Sequence, residues 1–144
     1  MVKNIKKVAV LGSGIMGSGI ACHLANIGLE VLLLDMIPKE ATTSNDKTVR
    51  NGLVNASLKN AIKSKPSPVF TNSVVKNIKT GNFTDNFEEI KDYDWIIEVV
   101  VERLDIKNII FEQVDQYRKK GSLISSNTSG IPIESMIEKR SEDF

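Results

Sequence analysis

The sequence is poor in the features that mark secreted, membrane-spanning or strongly charged proteins. It has one cysteine, Cys22, in 144 residues. A lone cysteine forms no internal disulfide, so a reducing cytoplasm is the expected compartment. It has one histidine, His23, expected as a partly buried helix residue, and no metal site is expected. No stretch approaches the ~20 apolar residues that a membrane-spanning helix needs. The basic opening Lys3 to Lys7 leads only into Val8 to Leu11, too short an apolar run before Gly12 for a signal peptide. Lys and Arg total 19 against 18 Asp and Glu, so charge gives no argument for nucleic acid or an anionic membrane as partner. No internal repeat or low-complexity linker breaks the chain.

What is present is an ordinary globular composition, 41% apolar and 26% charged. The length suits one domain with a real core, since domains run to about 100–200 residues. Val8-Ala9-Val10-Leu11 reads as a short buried strand ended by glycine. Ile15 to Ile27 turns helical, and Gly28 sits where a helix stops. Val31 to Leu34 is a second buried strand, closed by Asp35. Pro38 suits the first turn of a helix running to Lys63, broken by Lys65-Pro66-Ser67-Pro68. Val74 to Phe87 is weakly patterned, with Lys79-Thr80-Gly81-Asn82 as a turn among short strand pieces.

Trp95 to Val101 is the strongest strand signal, followed by a helix from Asp105 to Tyr117 with Ile106, Ile109, Ile110 and Val114 inward. Gly121 ends that helix, and Ser122 to Ser125 is the next strand. A polar turn, Asn127 to Gly130, precedes a short helical segment opened by Pro132. Strands alternating with helices imply an α/β fold with a mainly parallel sheet covered on both faces. The order of motifs fits a doubly wound, Rossmann-type sheet over residues 1–144.

Gly12-Ser13-Gly14-Ile15-Met16-Gly17 matches G-x-G-x-x-G. Alone that pattern is weak, and a glycine-rich turn that binds nothing would explain it. Here it follows a strand and opens a helix, the context in which it holds a dinucleotide. Gly12 permits the tight turn, Gly14 lets backbone approach a pyrophosphate, and Gly17 lets helix pack on strand. The free N–H groups and positive dipole end of the helix face the phosphates. Asp35 lies 23 positions after Gly12, near the ~20 expected of a carboxylate on the adenosine ribose. An acid there favours the 2′-hydroxyl of NAD and repels the 2′-phosphate of NADP, and neither Met36 nor Ile37 supplies an Arg for that phosphate. NAD is the expected cofactor.

Two further polar groups follow strands, at the edge where open α/β sheets bind ligands. Glu102, Arg103, Asp105 and Lys107 follow the Trp95 strand; Ser126, Asn127, Thr128 and Ser129 follow the Leu123 strand. The first set also reads as a solvated opening turn of a helix, the second as an ordinary cap or turn.

Lys7 to Gly17, Glu98 to Glu102 with Lys107, and Ser126 to Ser129 together resemble 3-hydroxyacyl-CoA dehydrogenases, in order and at matching intervals. Trp95 to Ile133 is most similar to the long bacterial members that act in fatty-acid β-oxidation. The resemblance implies that Gly12, Ser13, Gly14, Ile15, Met16, Gly17 and Asp35 hold pyrophosphate and adenosine ribose. It implies that Glu102 and Lys107 lie by the nicotinamide-side ribose. Ser129 would be the catalytic serine, hydrogen-bonded to the substrate's 3-oxygen beside the nicotinamide, with Asn127 shaping its loop. Ser57 and Lys63 are the nearest candidates for CoA contacts, and an acyl-CoA substrate is implied for the full-length protein.

In the family a histidine about twenty residues beyond the serine is the general base. This chain ends at Phe144, 15 positions after Ser129, and His23 does not match it. The chain is therefore expected to be a fragment lacking the base and the carboxy-terminal helical domain, inactive alone and inclined to self-associate as a homo-oligomer. The other readings are a non-catalytic NAD-binding protein of the same fold and a dehydrogenase of another 3-hydroxy acid.

Overall fold

The computed structural model describes residues 3–144. Five strands, β1 (Lys7–Leu11), β2 (Glu30–Asp35), β3 (Ile78–Asn82), β4 (Trp95–Glu98) and β5 (Leu123–Ser126), form one sheet in the order β3-β2-β1-β4-β5. Every neighbouring pair is parallel. The helices are α1 (Ile15–Asn26), a single turn α2 (Lys47–Arg50), α3 (Gly52–Lys63), α4 (Leu104–Tyr117) and α5 (Ile133–Ile137). None among the described residues is long and apolar enough to cross a membrane.

Alternation along the strands feeds two cores. Val8, Val10, Val31 and Leu33 pack with Ala21, Cys22, Leu24 and Ala25 of α1 and Val54 and Leu58 of α3. Ala9, Leu11, Leu32, Leu34 and Ile96 pack on the other face with Ile110, Phe111 and Val114 of α4 and Met136 of α5. Because both faces are covered, the central strands need apolar residues at consecutive positions, which is why they read as unbroken runs. The chain winds β1-β2-β3 with α1 and α3 on one face and β4-β5 with α4 on the other, the doubly wound arrangement.

Local chemistry sets the element ends. Gly28, at φ +87°, closes α1: its N–H donates to the Ala25 carbonyl at 3.0 Å and that of Leu29 to Leu24 at 3.2 Å. The helix expected as one piece from Pro38 to Lys63 is three. After a short 3-10 turn at Lys39–Ala41, Asp46 accepts from the Thr48 N–H at 2.8 Å and starts α2, and α3 begins afresh at Gly52. Thr, Ser, Asn and Asp offer the backbone local partners that compete with helix, and five of them fill positions 42–46.

Lys79 to Asn82 is strand β3, not a turn. A Cβ on Gly81 would stand 2.9 Å from Leu34 Cδ2 and 2.6 Å from Asn86 Oδ1, so the glycine serves close strand packing. β4 stops at Glu98, three residues early, because β1 has already turned at Gly12; the Val99 N–H meets the Leu11 carbonyl and the Val100 N–H meets the Glu98 side chain. In α4 the inward set is Lys107, Ile110, Phe111 and Val114, while Ile109 is 57% exposed. His23 is exposed on α1, not partly buried.

Candidate functional site

The glycine turn lies between β1 and β4, where the winding of the sheet reverses. Gly12 has φ +113°, and a Cβ on it would stand 2.5 Å from the Val99 carbonyl oxygen. A Cβ on Gly17 would stand 1.8 Å from the Gly12 carbonyl oxygen, so α1 meets the loop too closely for any side chain. Gly14 differs. A Cβ there would meet nothing within 4 Å, and its φ of −58° suits any residue. Packing within the protein therefore does not require glycine at this position, and the backbone here is open to close approach. Gly14 caps α1 with no side-chain hydrogen bond, and no acidic residue occupies the first turn. The first amides of α1 therefore keep their capacity for an anion, as a dinucleotide's pyrophosphate requires. Ile15 and Met16 are exposed at the same place.

Asp35 closes β2 beside this loop. One carboxylate oxygen accepts from the Ser13 N–H at 2.7 Å and the Ser13 hydroxyl at 2.5 Å; the other accepts from the Met36 N–H at 2.7 Å. The fold thus brings the acid to the glycine turn across 22 residues of sequence.

Beyond β4 the polar residues form one connected network. Lys107 is 1% exposed, and its ammonium donates to both oxygens of Glu98, itself fully buried, at 2.8 and 2.9 Å. It also reaches Glu102 at 3.2 Å. Glu102 Oε1 accepts from the Thr128 hydroxyl at 2.5 Å and from the Ser129 and Gly130 N–H groups, both at 3.1 Å. The Thr128 hydroxyl first, and the Gly130 amide next, hold the Glu102 carboxyl down to a pKa of about 2. Lys107 is thus no solvated helix turn, whereas Arg103 is, paired with Asp105 in the open. Asn127 gives its N–H to the Glu98 carbonyl at 2.8 Å, and Ser129 contributes only its backbone N–H, leaving its hydroxyl out of the network on an exposed loop.

Sequence reasoning assigned no role to Glu98, Ser126 or Thr128. The available signal was a carboxylate inside the strongest apolar run, with a lysine nine residues on.

A cleft of about 600 Å³ borders the glycine turn on its α3 side, lined by Gly14, Ile15, Ser57, Asn60 and Ser64 among others. Ser57, a candidate for a CoA contact, lines this cleft. Lys63 is exposed and does not line the cleft; one step along the chain turns Ser64 into it instead.

An open parallel sheet ordered 3-2-1-4-5, turning at a glycine loop into a bare helix N-terminus, defines a Rossmann-class dinucleotide-binding domain. Among families of that class, the one described as "3-hydroxyacyl-CoA dehydrogenase, NAD binding domain" matches residues 7–143, and this chain belongs to it. A Bacillus subtilis protein named as a probable 3-hydroxyacyl-CoA dehydrogenase is 50% identical over the whole chain, which spans 19% of that protein. A similarly named Deinococcus radiodurans protein is 44% identical over 97% of the chain, which spans 39% of it. Among solved structures, (S)-3-hydroxybutyryl-CoA dehydrogenase from Ralstonia eutropha superposes with a TM-score of 0.70 at 29% identity, over 97% of this chain and 47% of that one. The chain thus spans less than half the length of each of these relatives, and its cofactor is NAD.

Proposed function

We propose that residues 1–144 are the cofactor-binding domain of a longer, cytoplasmic NAD-dependent dehydrogenase. Its reaction is the reversible oxidation of (3S)-3-hydroxyacyl-CoA to 3-oxoacyl-CoA in fatty-acid β-oxidation. Relatives named 3-hydroxyacyl-CoA dehydrogenase, and a Rickettsia felis protein named as a fatty acid oxidation complex trifunctional enzyme, 40% identical over 96% of the chain, support that chemistry. The free, buried Cys22 fits a reducing compartment.

NAD, when bound, accepts or returns the hydride. The chain's residues bind and orient. The α1 amides and Gly14 receive the pyrophosphate, and Asp35 receives the adenosine ribose. Glu102, held by Lys107, lies at the nicotinamide-side ribose. Ser129 offers its hydroxyl to the substrate's 3-oxygen, and Ser57 and Ser64 line the route for CoA. A general base has a pKa near the working pH, and His23, exposed on α1, takes part in none of the hydrogen bonds around Ser129, so the base is assigned to the rest of the longer protein.

One observation carries this reading: the end of β4 and the Ser129 loop after β5 are joined through Glu102 by three hydrogen bonds, at the ligand edge of the sheet. The test is Ser129→Ala in the full-length enzyme, assayed with acetoacetyl-CoA and NADH. A loss of roughly 10–100-fold in kcat/KM is expected, the scale of one hydrogen bond to developing charge. Unchanged kcat/KM, or normal turnover by residues 1–144 alone, would overturn the assignment.

A further inference from the structure

A fully buried ion pair is an expensive way to fill a sheet margin. Two charges must leave water, and apolar residues of similar volume usually cost the fold no more. The rest of β4 is built that way, with Ile96 and Ile97 in its interior, yet Glu98 and Lys107 are 0% and 1% exposed. What the pair supplies and apolar side chains do not is direction.

Each acceptor site of Glu98 has a defined partner. One oxygen takes the Val100 N–H at 2.7 Å and Lys107 at 2.8 Å. The other takes Lys107 at 2.9 Å and the hydroxyl of Ser126, the last residue of β5, from which the loop that carries Ser129 departs. The Glu98 carbonyl accepts the Asn127 N–H at 2.8 Å. The far end of the same loop is held by Glu102, and Glu102 is held in turn by Lys107 at 3.2 Å.

We propose that Glu98 is a positioning residue that fixes both ends of the Ser126–Gly130 loop, directly through Ser126 and indirectly through Lys107 and Glu102. The substrate serine and the ribose-facing carboxylate are thereby set as one unit. This rests on the reading that this edge receives the nicotinamide half of NAD. Without the Glu98 charge, the buried ammonium has Glu102 as its remaining carboxylate and draws it inward, off the Ser129 and Gly130 amides.

The test separates the two halves of the cofactor. NADH and ADP-ribose, which lacks the nicotinamide, are titrated calorimetrically into the chain and into Glu98→Gln, and amide exchange is followed at Thr128 to Gly130. The substitution should weaken NADH by about tenfold, the scale of one charge-assisted hydrogen bond, while ADP-ribose stays within about twofold. Exchange at the loop amides should rise. Equal losses for both ligands would show a general structural role, and no loss for either would show none; each overturns the proposal. Glu102→Gln tests the underlying reading separately. If it leaves the NADH to ADP-ribose ratio unchanged, the edge does not receive the nicotinamide half. If it changes the ratio and Glu98→Gln does not, only the role of Glu98 falls. Should Glu98→Gln fail to fold, Ser126→Ala decides, because it keeps the ion pair and removes only the tie to the loop. About a threefold selective loss of NADH is expected from that weaker, partial release; no selective loss overturns the proposal.

Discussion

The hydroxyl and the backbone N–H of Ser13 both donate to the same oxygen of Asp35, at 2.5 and 2.7 Å. The carboxylate is thereby aimed across the glycine turn before any ligand arrives, and its other oxygen takes only the Met36 N–H. A carboxylate so placed accepts a ribose hydroxyl and repels a phosphate. The chain should therefore bind NADH in preference to NADPH, and Asp35→Ala should weaken NADH by roughly 1.5–3 kcal/mol, a hydrogen bond to a charged group. Calorimetry with both cofactors checks this; equal affinities in the unaltered chain would remove Asp35 from the ribose.

Gly17 and Gly14 of the turn should fail in different ways. In Gly17→Ala the new methyl meets a backbone carbonyl at 1.8 Å, which no rotamer relieves. Overpacking of this kind costs about 1–3 kcal/mol or more, and Tm should drop accordingly. In Gly14→Ala the methyl points into open space, so Tm should hold while NADH binding is lost. Thermal melts and cofactor fluorescence on the two variants separate the outcomes, and a Gly14→Ala protein that binds NADH normally would refute the pyrophosphate assignment.

Acid should destabilise the chain late and through identifiable groups. Arg50 holds Asp85, Lys119 holds Asp94 and the Thr128 hydroxyl holds Glu102, each at a pKa of about 2. In an unfolded chain such groups titrate near 4, so what they contribute is complete above about pH 5 and disappears as pH falls through 2. The urea midpoint should be flat from pH 7 to 5 and decline from 4 to 2. Asp94, which also accepts the Lys6 and Lys7 N–H groups at 2.9 Å, should carry part of that slope, and Asp94→Asn should flatten it. A midpoint that rises between pH 4 and 2 would contradict the pairing.

The two edges of the sheet are unlike. β3 carries exposed Lys79, a charge that discourages pairing, while β5 opens on Leu123 at 40% exposure, and α5 exposes Ile133 at 48% and Ile137 at 42% beside Ile124 to Ser126 of the same strand. Self-association along the β5 edge is expected, blunted by Glu134, Glu138, Lys139 and Arg140. Light scattering should give a mass that climbs above 15.9 kDa with concentration, and Ile133→Ser should reduce it. A constant monomer mass would refute the idea.

The central strands, α1 and α4 were legible in the sequence because burial on both faces leaves apolar runs, and Gly28 and Gly121 mark real left-handed turns. β3 was not, because it is an edge strand whose far end is polar. Asn82 is 1% exposed yet satisfied by Asn51, Asp85 and two backbone amides, so its polarity mimics a turn. The glycine turn and Asp35 were legible because their spacing carries their geometry. Glu98 was not: in a strand signal built from apolar residues a single acid reads as an interruption, and only the folded position of Lys107 shows its partner. Lys63 is the last residue of α3 and is exposed outside the cleft, and the chain turns extended at Ser64, which lines it; an assignment by sequence spacing does not register where the helix stops.

Cys22 faces the core from α1, 0% exposed, and burial pushes its thiol pKa up. The chain's one thiol is therefore protected as long as α1 stays seated on the sheet, and thiolate chemistry begins only when that layer lifts. A maleimide added to the native protein would record openings of the helix whose first turn is proposed to receive the pyrophosphate. Cofactor that clamps this turn would slow the labelling, giving a clock for the binding layer that needs no engineered residue.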